Sequence, residues 1–106
     1  GLVYEQEILA ETAANQLKIK PIFSKDAANK QVNFVFEGSS APQDFEVKSI
    51  AFWKPSDLSQ DFSGQPTCDN ARCQISFLNE LTGLWYYKIS GAANQKDFVF
   101  KGTQVF

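Results

Sequence analysis

Apolar and polar side chains alternate with a period of two along most of this chain. Gln31-Val32-Asn33-Phe34-Val35-Phe36-Glu37 places Val32, Phe34 and Phe36 on one face, and Gly38-Ser39-Ser40-Ala41-Pro42 ends the run. Phe45-Glu46-Val47-Lys48 alternates again, leads into Ile50-Ala51-Phe52-Trp53, and stops at Lys54-Pro55-Ser56-Asp57. Cys73, Ile75 and Phe77 share a face, the run from Leu84 to Ser90 is densely aromatic, and Phe98, Phe100 and Phe106 alternate in the last segment. Leu17, Ile19 and Phe23 alternate with Lys18 and Lys20, and Pro21 marks an edge strand or a bulge. Lys101 and Gly102 are expected to protect an edge or form a bulge.

Strand-like segments separated by turn residues at this spacing predict an all-β fold, a single antiparallel β-sandwich of about seven strands occupying 1–106. Pro55 to Asn70 is the longest weakly patterned stretch and predicts a long loop holding one short strand around Leu58 to Phe62. Residues 2–16 pull two ways. Their Glu, Gln, Ala and Leu content favours helix, with Leu9, Ala13 and Leu17 four apart. Leu2, Tyr4, Ile8 and Ala10 would share a strand face, and the reading preferred is a first strand to about Glu11, then a turn through Thr12-Ala13-Ala14-Asn15.

Composition narrows the chemistry. The 106 residues include no His and no Met, so no imidazole-based triad, proton shuttle or ordinary zinc site can be built. Ten basic against 12 acidic side chains give a net charge of -2, which argues against nucleic acid as a partner. No apolar run is long enough to span a membrane. No Ser-x-x-Lys, Gly-x-Ser-x-Gly or glycine-rich phosphate loop occurs, so no catalytic residue and no cofactor is expected.

Cys68 and Cys73 flank Asp69-Asn70-Ala71-Arg72, which has turn chemistry. In a hairpin the two cysteines face each other at a distance that a disulfide bridges. So small a ring adds only ~2 kcal/mol. A disulfide, and a chain opening on Gly1 without Met as a processed precursor or excised domain does, both point to an extracytoplasmic (secreted or periplasmic) protein.

The segment Phe77-Leu78-Asn79-Glu80-Leu81-Thr82-Gly83-Leu84-Trp85-Tyr86-Tyr87-Lys88-Ile89 resembles the penultimate-strand region of immunoglobulin-like and fibronectin type III-like sandwiches. The resemblance implies a structural corner at Leu81 and Gly83, with Trp85 and Tyr87 inward and the hydroxyl of Tyr87 or Tyr86 folded back onto it. It departs from antibody-type domains, because Cys68 and Cys73 are too close together for their inter-sheet bridge. Strict alternation turns Tyr86 outward, and Tyr86 with Phe52 or Trp53 from a neighbouring strand is the candidate binding surface for a protein or a glycan. Asp57 and Asp61 join it from the long loop, their solvated carboxylates falling short of a spaced calcium loop. Glu5, Glu7 and Glu11 form the densest acidic cluster, read as a solvated face. The final strand, Phe98 to Phe106, is apolar on both faces and offers an edge for self-association. Together these features predict a non-catalytic binding or accessory module, with an inhibitor of an extracellular enzyme or a carbohydrate-binding module as the alternatives.

Overall fold

The computed structural model describes residues 2–38 and 44–106, so the predicted break at 39–42 lies outside the described residues. Strands dominate, as the period of two requires. They are β1 (Ile19–Asp26), β2 (Gln31–Gly38), β3 (Glu46–Trp53), β4 (Phe62–Gly64), β5 (Thr67–Asp69), β6 (Arg72–Ser76), β7 (Leu84–Ala93) and β8 (Lys96–Val105). They form two four-stranded antiparallel sheets, in the orders β1-β2-β6-β5 and β4-β3-β7-β8. Among the described residues the strands number eight: the long loop yields two three-residue strands, β4 and β5, where one was expected, and residues 2–16 yield none. Within that loop the strand expected over Leu58 to Phe62 is a 3-10 turn at Leu58–Gln60, and β4 starts only at Phe62. Asp57 explains the difference: its carboxylate accepts from the Ser59 amide, which caps a helical turn.

The inward faces meet on a phenylalanine-rich interior. Phe34, Phe52, Trp85, Ile89 and Phe98 are buried, and all ten phenylalanines belong to the core or pack directly on it. Rings contact edge to face across the sheets, Phe23 with Tyr87 at 4.8 Å and Phe36 with Phe45 at 4.9 Å between centroids. Pro21 lies in β1, an outermost strand of its sheet, where a missing amide is tolerated. The β7–β8 register runs unbroken through Gly102, so that glycine makes no bulge; the irregularity falls instead in β3, between Val47 and Ser49.

The largest departure from the pattern is the first segment. Residues Leu2–Gln16 form one α-helix, α1, not a strand and a turn. Two alanines one helical turn apart, Ala10 and Ala14, are its buried residues, and it packs on β8. Leu2, Tyr4 and Ile8, three of the four residues whose spacing suggested a strand, are exposed. High propensity across 15 residues therefore prevails over an apolar alternation that the fold never buries.

Candidate functional site

β3 and β7 run side by side in the centre of one sheet, and their register pairs Trp53 with Tyr86. Both point away from the core, because their neighbours Phe52 and Trp85 point into it. The two rings stack with centroids 5.7 Å apart and planes 15° from parallel. Trp53 is half-buried and Tyr86 is 39% exposed, so the outward turn predicted for Tyr86 is observed. On the same face Thr103 of β8 lies opposite Tyr86, and Leu84 pairs with Val105. Leu84 and Val105 are exposed, and they extend the aromatic pair into an apolar band across β3, β7 and β8.

Two residues from Tyr86 and from Thr103, on the same face, Lys88 and Lys101 lie directly opposite each other. Two like charges in that position repel, and α1 places acids between them. Glu7 bonds both Lys88 and Lys101 at 2.9 Å, and Glu11 bonds Lys101 at 2.8 Å. Hydrogen bonds from Lys101 and Lys88, with their charge, hold the Glu7 carboxyl down to about 2. Glu11 and Glu7 raise Lys101 in return. On a helix Glu7 and Glu11 share a face, whereas Glu5 does not join them; the acidic cluster is a clasp, not a solvated strand face. Sequence reading gave Lys88 no role and gave Lys101 only that of protecting an edge or forming a bulge. Their signal was the pairing of two lysines across neighbouring strands, legible only once the register is known.

Asp57 and Asp61 accept hydrogen bonds from groups close to them in the chain. Asp57 accepts from the Ser59 hydroxyl at 2.6 Å and from Gln60 Nε2 at 2.7 Å, bonds that lower its carboxyl below the usual range. Asp61 accepts from the Lys54 backbone amide at 2.9 Å. Both carboxylates thus brace their own loop. Among the described residues no group of three or more metal-ligating side chains comes together.

The segment expected as a corner is held by backbone and indole hydrogen bonds. Leu81 is buried and Gly83 takes φ 80°, which favours glycine. Gly83 and the Phe106 backbone exchange hydrogen bonds of 3.1 and 2.9 Å. Trp85 reaches back to the corner, its indole N–H donating to the Thr82 carbonyl at 3.0 Å. Tyr87 instead lies against Gly102, its partner on β8, where an added Cβ would fall 2.7 Å from the ring's Cζ. Burial pushes the Tyr87 phenol up.

Cys68 and Cys73 are disulfide-bonded and pair in register across β5 and β6, their Cα atoms 4.1 Å apart. Asn70 in the connecting turn takes φ 57°, a left-handed conformation that asparagine tolerates. No helix among the described residues is long and apolar enough to cross a membrane. A concavity of about 570 Å³ lies between α1 and the start of β8, lined by Gln6, Leu9, Gln16, Lys96 and Asp97 among others. Compared with known proteins, the chain matches no protein-family model, no curated protein and no solved structure.

Proposed function

We propose that this chain is an immunoglobulin-like sandwich serving outside the cytoplasm as a non-catalytic binding or accessory module, and that it contacts a protein partner through the outer face of β3, β7 and β8. The strand orders support the first part. Counting strands A, B, C, C′, D, E, F and G along the chain, β1-β2-β6-β5 reads A-B-E-D and β4-β3-β7-β8 reads C′-C-F-G, an order that supports the immunoglobulin-like reading. The Cys68–Cys73 disulfide supports an oxidising compartment.

The observation that carries the binding reading is the exposed band of Trp53, Tyr86, Leu84 and Val105 on a rigid central sheet. Aromatic side chains held stiffly among aliphatic neighbours make anchors for a protein surface. A sugar would need a ring face lying open. Here each ring commits one face to the other, which favours a protein over a glycan.

A photo-crosslinking residue at position 86, with another at Ser24 on the opposite sheet as control, tests this in the secreted fraction of the native host. The expected result is a discrete protein adduct from position 86, none from position 24, and loss of the adduct when Trp53→Ala is added. Equal labelling from both positions, or binding of the unmodified chain on a glycan array, overturns the protein-partner reading.

A further inference from the structure

The two cysteines of the hairpin are not equivalent. Cys73 is 4% exposed and lies opposite Phe34 in the β2–β6 register, inside the core. Cys68 is exposed, on β5, the outermost strand of its sheet. Directly opposed residues share a face, so Phe34, Cys73 and Cys68 form one row running from the packed interior out to solvent. The disulfide lies along that row.

Thiol–disulfide exchange proceeds by attack of a thiolate on one sulfur, in line with the bond to the other, so access decides which sulfur is struck. A nucleophile aimed at Cys73 would have to come from the Phe34 side, through the core. One aimed at Cys68 comes from solvent, across an edge strand whose three residues are all exposed. Beside the pair an open concavity of about 370 Å³, bordered by Thr67, Asp69, Arg72 and Asn33, gives an incoming chain room to lie along β5.

We propose that Cys68–Cys73 is a thiol–disulfide exchange site entered at Cys68, with Cys73 as the buried resolving thiol, and that its partner is a dithiol oxidoreductase. A thiolate of the partner forms a bond to Cys68 Sγ while the Cys68–Cys73 bond breaks, and the electron pair leaves on Cys73 Sγ, which takes a proton from water. The partner's second thiolate then attacks its own sulfur in the mixed disulfide and releases Cys68 as a thiolate. The partner dithiol is oxidised by two electrons and this disulfide is reduced to two thiols. In the reverse direction, Cys73 displaces the partner and restores the bond. Backbone pairing of β5 with β6 at Thr67–Gln74 and Asp69–Arg72 flanks the bond on both sides and supports the hairpin beside it.

The test uses the oxidised, unmutated chain. It is treated in native buffer with glutathione and, separately, with a thioredoxin-fold oxidoreductase whose resolving cysteine is replaced by serine. Products are trapped with acid and located by peptide mass spectrometry. The expected adduct sits on Cys68 with at least tenfold preference over Cys73 for both probes. Its rate rises linearly with thiol concentration, and the far-ultraviolet spectrum stays unchanged. Adducts found mainly on Cys73, a rate that levels off at the unfolding rate, or failure of the oxidoreductase to form a covalent complex would each overturn the proposal.

Discussion

Gly102 offers a sharp test of how β7 and β8 are packed. Its φ lies outside the left-handed region, so the backbone accepts alanine without strain. Taken alone, Gly102→Ala in a strand should stabilise by about 0.5–1 kcal/mol, because the unfolded chain loses freedom. The Tyr87 ring opposes that gain. A Cβ at position 102 would come 2.7 Å from Cζ and 2.9 Å from Cε2, and the ring cannot swing freely because Phe23 packs edge-on at 4.8 Å. Forcing such a displacement costs about 1–3 kcal/mol. Overpacking therefore wins, and Gly102→Ala is expected to destabilise by about 0.5–2 kcal/mol. In a Tyr87→Val background the ring is gone and the sign reverses, with the same substitution stabilising by up to about 1 kcal/mol. The coupling between the sites is then about 1–3 kcal/mol. Urea unfolding followed by tryptophan fluorescence measures all four corners of the cycle. An equal cost in both backgrounds would refute the idea that glycine stands at position 102 to seat the Tyr87 ring.

The helix clasp should depend on pH. Glu7 is lowered from 4.5 to about 2, so its contribution is whole above about pH 4.5 and drains away as the pH falls through about 2. Amide protection in α1, read by hydrogen exchange, is expected to fall over that window while β3 and β7 stay protected; Glu7→Gln should abolish the pH dependence. Tyr86→Ala removes an outward ring and one stacked pair, and a loss of no more than about 1 kcal/mol is expected in thermal unfolding. Trp85→Phe, by contrast, leaves the Thr82 carbonyl without its indole donor and opens space in the core, for an expected loss of about 2 kcal/mol by the same assay. Asp57→Ala deletes the acceptor for three groups, and limited proteolysis should then cut near Ser59 faster than in the parent chain.

Strict alternation made β2, β7 and β8 legible, and with them the inward Trp85 and Ile89 and the outward Tyr86. The hairpin disulfide followed from spacing and turn chemistry at 69–72. What stayed hidden had a different physical basis. The helix buries alanines, which weigh little in a search for apolar periodicity, while Leu2, Tyr4 and Ile8 advertise a face that is exposed. The short 3-10 turn depends on a side-chain cap at Asp57, a local competition that periodicity does not register. Lys88 and Lys101 are 13 residues apart, and no local pattern says that a register will set them face to face or that Glu7 will lie between them.

Helix α1 is the first element of the sequence and β8 the last, yet each is the other's neighbour. A polypeptide made from its amino end must therefore finish the whole domain before the helix has anywhere to dock. Until Lys101 emerges, Glu7 and Glu11 have no cation on β8 to grip, and the helix waits on the nascent chain with its alanine stripe bare. Closing this clasp joins Glu7 to Lys101 over a long separation in sequence, the kind of contact that loop-closure entropy makes slow to form.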